Sequence, residues 1–536
     1  MKISERFFNA TRILLMSTVS VALITLKVFA VEESTPVKSD DAIDPELAIK
    51  QFIRPTNFNI ALWASEPQLK NPVAFCFDEK GAVYVAQTYR YHTNVLDIRN
   101  YMQMYFDDLA CTNVNDRIAE VRKFLGKDGL KRLTENSEVI RKLEDTTGSG
   151  RADRSLAYAW GFTNVLDGIG SGVLSRKGKL YYTCIPSLWE LDGTHSDGSA
   201  ANRKSLSYGY GVRFGYTGHD SHGLRMGPDG KLYFSIGDRG LNVTNKEGKV
   251  LYQPFTGSVL RCNLDGSELE IFHTGLRNPQ ELAFDDFGNL FTGDNNCDHG
   301  DAARIVYVAE GGDSGWRIGN QFSETTAAGL WNSENLWYLQ YPGQAAYIVP
   351  PVGHVGNGPS GFTHYPGVGF PEKYRDHFFL ADFRGASANS GIHSIALQQK
   401  GAGFEVTEDD HFLWQILATD CDFSPDGQFY VSDWVRGWPQ SQLGRIYRLY
   451  DPEIVRSALV QETRRILSEG METRSITELA SLLAHADQRV RQEAQFELAD
   501  RAINKDGPSR GASQSAIALL SNTALNQTNL LARLHA

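Results

Sequence analysis

Residues 222–240 read HGLRMGPDGKLYFSIGDRG. An apolar strand runs into a Pro-Asp-Gly turn, and a second strand follows in which Leu, Tyr, Phe and Ile alternate with small or polar residues. The turn glycine, Gly230, supplies the positive φ that such a turn needs. Five further stretches repeat the unit: NPVAFCFDEKGAVYVAQ from 71, VLSRKGKLYYTCI from 173, NPQELAFDDFGNLFTGDN from 278, GFTHYPGVGFPEKYRDHFFLADFRG from 361 and ATDCDFSPDGQFYVSDW from 418. Each predicts one hairpin, the inner pair of a four-stranded blade. Blades closed into a ring leave few free strand edges, so the expected fold is mainly β, a six-bladed propeller over residues 57–450. A seven-bladed ring or stacked sandwiches are the alternatives, because uneven spacing leaves room for insertions.

The chief insertion lies near 110–145, where VNDRIAEVRKFLG and LKRLTENSEVIRKLE carry apolar residues at helical spacing. After Tyr450 the period changes from two to 3.6. Residues 451–536 read as about four amphipathic helices with a stripe of Leu479, Leu482, Leu483, Val490, Ala494 and Leu498. The run LASLLAHADQRVRQEAQFELA is similar to one HEAT-type helical hairpin, and residues 31–56 form a lead-in segment.

The 536 residues are 41% hydrophobic and 22% charged, with 50 Gly, 28 Phe, 22 Tyr and 9 Trp, a mixture suited to turns and short strands rather than to a helical protein. Residues 1–30 carry Lys2, Arg6 and Arg12 ahead of the apolar run ILLMSTVSVALITL and close on Val28-Phe29-Ala30, the pattern of a cleaved export signal, with an uncleaved N-terminal anchor as the alternative. Removing the signal leaves 49 basic and 63 acidic residues, a formal charge of -14. That charge disfavours nucleic acid and anionic membrane as partners. The expected mature protein is exported to the periplasm or beyond, without an integral membrane segment. Six widely spaced cysteines include no CxxC or CxxCH, so zinc knuckle, redox dithiol and covalent haem lack support; local disulfides and buried free thiols stay open.

Ring folds gather function where the loops of successive blades meet. The segment GHDSHGLRMGPDGKLYFSIGDRG brings His219, His222 and Asp238 together as candidates, because an Asp can orient an imidazole that takes a proton from an alcohol; the same pair also occurs in structural turns. Arg277, Asn278 and Gln280 precede one strand, and Asp294, Asn295, Asn296, Asp298 and Asp301 follow the next, offering an arginine fork for carboxylates and oxygen ligands for calcium. Asp145 and Asp153 in EDTTGSGRADRS could ligate calcium or flank a solvated turn. His354, Asn357, Ser360 and Arg384 form a later group. Trp434 and Trp438 suit a sugar face or blade packing equally.

GLRNPQ, the acidic GDNNCDHGD loop followed by GGDSGW, and HDSHGLRMGPDGKLYFSIGD together resemble the soluble glucose/sorbosone dehydrogenase family, and more closely the membrane-bound dehydrogenases of planctomycete type. The resemblance implies a six-bladed propeller that uses pyrroloquinoline quinone (PQQ) and calcium to oxidise a sugar or polyol by hydride transfer. It implies His219 as base with His222 as rival, Arg277 and Asn278 as quinone contacts, and Arg384 as a basic contact from a later blade. The family's Gly-Pro beside its calcium position is replaced here around Asn296-Cys297, and the family's CxxCH cytochrome module is absent from the sequence. Electrons would then pass to a separate cytochrome or other acceptor. A non-catalytic carbohydrate- or protein-binding propeller and a lactone hydrolase are the alternative readings.

Overall fold

A computed structural model describes residues 44–297, 302–318, 341, 348–503 and 510–536. The proposed signal peptide, Asp298 and Asp301 lie outside the described residues. Six antiparallel blades form the body, and the six repeat units supply the two inner strands of each. Blade 1 comprises Pro72–Phe77, Val83–Gln87, Glu138–Glu144 and Arg154–Phe162; blade 2 comprises Gly170–Arg176, Lys179–Cys184, Ser187–Asp192 and Asn202–Tyr208. Blade 3 comprises Ser221–Met226, Leu232–Ile236, Gly257–Cys262 and Glu270–Leu276, with a short parallel strand, Gly312–Asp313, added at its edge. Blade 4 comprises Pro279–Phe284, Leu290–Asp294, Arg304–Tyr307 and Gly353–His354, and blade 5 Pro359–His364, His377–Asp382, Gly391–Lys400 and Gly403–Trp414.

Blade 6 closes the ring. Its inner strands, Ala418–Phe423, Phe429–Asp433 and Arg445–Tyr450, are completed by Asn59–Ala64 from the start of the propeller, with Asn59 opposite Tyr450. This pairing ties the two ends of the ring together within one blade. Aromatic residues fill the wedge between blades 5 and 6, where Phe370 lies 5.0 Å from Phe423 and Phe379 lies 5.0 Å from both Phe412 and Phe429. Such pairs add about 0.5–1.5 kcal/mol each beyond their buried area.

The insertion corrects one expectation. Helices occupy Tyr105–Ala110 and Val114–Arg132, the second capped by Asn113, but EVIRKLE is the third strand of blade 1. Ile140 and Leu143 satisfy helical spacing, yet this segment lies between Val83–Gln87 and Arg154–Phe162, and two flanking ladders outweigh a weak local preference.

Among the described residues, five α-helices follow the ring: Ala458–Glu469, Ile476–Leu482, Gln488–Ile503, Arg510–Asn526 and Leu530–His535. Ser457, Ser475 and Asn529 cap three of them by accepting backbone amides. Leu479, Leu483, Val490, Ala494 and Leu498 form their buried core. The helices cover the hairpin-turn end of the ring. Gln488 donates to the Asp285 carbonyl at 2.7 Å, Arg489 to the Phe423 carbonyl at 2.8 Å, and Arg491 pairs with Asp286 at 2.5 Å. Among the described residues, the opposite end, where inner strands begin and second strands finish, is not covered by these helices.

Candidate functional site

At that end lies a cavity of about 590 Å³ to which every blade contributes. Val73 and Thr88 come from blade 1, Ile169 precedes blade 2, His219 and His222 belong to blade 3, and Arg277, Asn278, Gln280 and Asn295 to blade 4. Ser360 and Phe383 come from blade 5, and Thr419, Trp434 and Trp438 from blade 6. Arg99 reaches in from the insertion, with its guanidinium 4.4 Å above the Tyr216 ring.

His219 sits just ahead of the first strand of blade 3, and Asp238 just beyond the second. Their hairpin sets His219 Nδ1 2.8 Å from Asp238 Oδ1. Asp238 is fully buried, and its other oxygen accepts the Trp316 indole N–H at 2.8 Å. The carboxylate therefore favours the tautomer with the proton on Nδ1 and the lone pair on Nε2. Burial, only partly opposed by Asp238, lowers the His219 pKa from its ordinary value, so the ring is neutral at pH 7. His222 is tied differently: its Nε2 lies 2.9 Å from the Gly218 carbonyl, and burial pushes its pKa down to about 4. Both histidines line the cavity, but only His219 is hydrogen-bonded to a buried carboxylate.

Arg277 and Asn278 are placed by their backbones. Asp294, at the end of the second strand of blade 4, accepts the Arg277 amide at 3.0 Å and the Asn278 amide at 2.8 Å. The Arg304 guanidinium neutralises it at 2.6 Å. The Arg277 side chain lies 5.7 Å from the Tyr216 and Trp316 ring centres. Asp294 is thus a buried bracket behind the cavity wall rather than part of its lining, which departs from its expected role as a metal ligand. Gln280 and Asn295 line the cavity; Asn296 is buried beside it but is not in its lining.

Blade 5 repeats the device. Asp382 accepts the Asn357 and Gly358 amides at 3.0 and 2.7 Å and pairs with Arg384 at 2.5 Å. Arg384 turns toward this carboxylate and does not line the cavity, contrary to the resemblance-based expectation. Behind Asp382, buried His393 lies 2.6 Å from Asp409 and 3.4 Å from Asp382. Burial opposes its charge, but hydrogen bonds to both carboxylates prevail and raise its pKa from 6.5 to about 9. Its stabilisation is therefore fully present below pH 6.5 and is lost as pH rises through about 9. His393→Gln should lower stability below pH 6.5 and flatten the decline between pH 6.5 and 9, as read by urea unfolding at a series of pH values. A variant whose pH profile matches the wild type would remove this assignment.

Asp145 and Asp153 stand apart from the cavity, in the loop joining the third and fourth strands of blade 1 at the hairpin-turn end. Asp145 accepts the Ser149 and Gly150 amides at 3.0 and 2.7 Å, and Asp153 accepts the Thr146 and Thr147 amides, both at 3.1 Å. His354 lies on the outer strand of blade 4 beside the Ala302 and Ala303 carbonyls. Cys76, Cys111, Cys184, Cys262 and Cys421 are buried free thiols, and Cys297 is buried as well. Thr88, Tyr91, His92, Arg99, Tyr216 and Thr419 line the cavity without having been singled out in the sequence. Arg99 and Tyr216 sit in segments without a repeat signature, and Thr88 differs in no local way from other strand-end threonines.

Among known proteins, quinoprotein glucose dehydrogenase B of Acinetobacter calcoaceticus is 35% identical over a stretch covering 18% of this chain and 26% of the relative, so the match spans about a quarter of that protein. The PQQ-bound aldose sugar dehydrogenase of Streptomyces coelicolor is 15% identical with a TM-score of 0.42, over 74% of this chain and 99% of that one. The soluble aldose sugar dehydrogenase of Escherichia coli is 13% identical with a TM-score of 0.44, over the same shares. One family model spans the ring from the first helix before it to the end of its last strand: the chain belongs to the family described as a domain of unknown function, DUF7133, matched over residues 44–451.

Proposed function

We propose that the chain is a PQQ-dependent oxidoreductase acting on a sugar or polyol, with His219 as general base. The observation that carries this reading is the His219–Asp238 pair in the cavity that also exposes Arg277 and Asn278. The donor set fits the cofactor. Arg277 and Arg99 offer cationic forks to carboxylates, and the Asn278 side-chain oxygen is buried with no hydrogen-bond partner among the described residues. The Asn295 side-chain oxygen is in the same condition and suits calcium, with Asn296, Asp298 and Asp301 as further proposed ligands. When bound, the quinone supplies a two-electron acceptor for the hydride that leaves the alcohol carbon.

The protein's own part is proton handling and orientation. His219 Nε2 takes the hydroxyl proton as the C–H bond breaks, and Asp238 stabilises the imidazolium that results. Arg277, held between two rings, keeps its charge fixed in direction. Trp438 is 52% exposed at the cavity, with its ring centre 5.1 Å from that of Phe383, and offers an aromatic face to a pyranose. Trp438→Ala should raise KM for an aldose by about 3- to 10-fold with kcat retained, the scale of one aromatic contact. An unchanged KM would take Trp438 out of substrate binding.

Titrating the apoprotein with PQQ and calcium tests the proposal. Saturable binding and dye reduction on an aldose and polyol panel are expected. Absence of both overturns it, and sugar binding without dye reduction would favour a binding propeller. Electrons leaving the reduced cofactor are proposed to pass to a separate cytochrome or other acceptor. Export to the periplasm is proposed from residues 1–30; among the described residues no helix is long and apolar enough to cross a membrane.

A further inference from the structure

We propose that Asp108, Cys111 and Glu120 form a zinc site that clamps the helical insertion to the loop leading into the cavity. Asp108 lies in the first insertion helix, Cys111 directly follows that helix, and Glu120 faces them from the second. One potential ligand atom from each lies within 4.8 Å of the other two. The three residues are 2%, 3% and 4% exposed. One Glu120 oxygen lies 3.7 Å from the Cys111 sulfur, and the other is buried without a hydrogen-bond partner among the described residues. A buried carboxylate oxygen left in this state costs free energy that a cation would recover.

The donor chemistry selects the ion. A thiolate with two carboxylates suits zinc and disfavours calcium or magnesium, which take oxygen ligands alone. Three protein ligands leave a fourth position for water. The electrostatics also agree. Three ionised ligands around a dication carry a net charge of -1. Buried Arg117 and Arg213 supply a counter-charge; they donate to the Leu166 and Leu109 carbonyls at 3.1 and 2.8 Å. Arg239 is committed to Asp220 at 2.8 Å.

The position gives the clamp a use. Asp108 already accepts the Phe214 and Gly215 amides, at 2.6 and 3.0 Å. The Gly215 carbonyl accepts the Ile98 amide at 2.9 Å, and Asp97 accepts the Thr217 amide at 3.1 Å. These bonds hold Arg99 over Tyr216 and fix the strap that ends in His219. One metal ion would lock both insertion helices to that strap.

The inference stands apart from the proposed quinone chemistry, and its readout is metal content and spectrum rather than activity. Full-length mature protein from zinc-supplemented cells should carry one zinc per chain by elemental mass spectrometry. Replacement by cobalt(II) should give a near-ultraviolet thiolate-to-cobalt band. Cys111→Ser should abolish that band and reduce zinc to background while circular dichroism remains unchanged. If that variant does not fold, Glu120→Gln keeps the thiol and should weaken cobalt binding by at least about tenfold, since one charged ligand is lost. Wild-type protein without zinc and without the cobalt band overturns the site, as does full zinc occupancy in folded Cys111→Ser.

Discussion

His219→Gln should lower kcat for sugar oxidation by about 10²- to 10⁴-fold, the usual worth of a positioned base, while PQQ affinity changes little. Glutamine retains an N–H for Asp238 and much of the ring's volume, but it has no group able to accept and hold the substrate proton. The pH profile separates this role from simple packing. Because burial lowers the His219 pKa, wild-type activity should stay flat from pH 8 to below the ordinary histidine value of 6.5, then fall with unit slope as the ring protonates. The variant should be slow at every pH and lack that limb. Asp238→Asn should act in the same direction. An amide there must present its NH₂ group either to His219 or to the Trp316 indole, which already donates at 2.8 Å. Unchanged kcat in His219→Gln would remove the base assignment. An acid limb near pH 4 that survives in this variant would transfer the role to His222, whose pKa is about 4.

How much of this could be read in advance differs between fold and site. Hairpins are local: Pro228, Asp229 and Gly230 specify a turn, and alternation in LYFSI specifies a half-buried strand, so six inner pairs are visible from short windows. Ring closure is not local. Asn59–Ala64 becomes a strand of the last blade only because it meets Arg445–Tyr450 almost four hundred residues later. EVIRKLE is ambiguous for the same reason, since Ile140 and Leu143 lie on one face of a helix as readily as they fill a sheet. His219 and Asp238 fall at the two ends of one hairpin and could be paired from sequence. Arg99, Tyr91 and Thr419 arrive from an insertion and two blades, and only the ring brings them to one cavity. Asp294 marks the deeper limit. A carboxylate that brackets amides and one that holds calcium look identical in sequence, and the Arg304 partner on the neighbouring strand decides between them.

Arg304→Ala should destabilise the protein by about 3–5 kcal/mol, the cost of leaving a buried carboxylate without its counter-ion. The Asp294 side chain is 0% exposed and that of Arg304 is 6% exposed, with contacts at 2.6 and 2.9 Å. Arg304 also donates to the Ser314 and Gly275 carbonyls at 3.0 and 3.1 Å, so truncation removes a donor from three buried acceptors at once. Urea unfolding measures the loss, and Arg465→Ala provides a control, because the Arg465–Glu469 pair is about half exposed on both sides and such surface pairs contribute little. A second variant separates stability from site geometry. Arg304→Met with Asp294→Leu removes both charges and fills much of the same volume, and buried pairs replaced in this way often lose little stability. That double variant should recover most of the folding free energy. PQQ binding should nevertheless stay weak, because the Arg277 and Asn278 amides have lost the acceptor that turns their side chains into the cavity. If the double variant bound the quinone normally, the Asp294 bracket would be a stability element alone, and Arg277 and Asn278 would owe their placement to the Tyr216 and Trp316 rings instead.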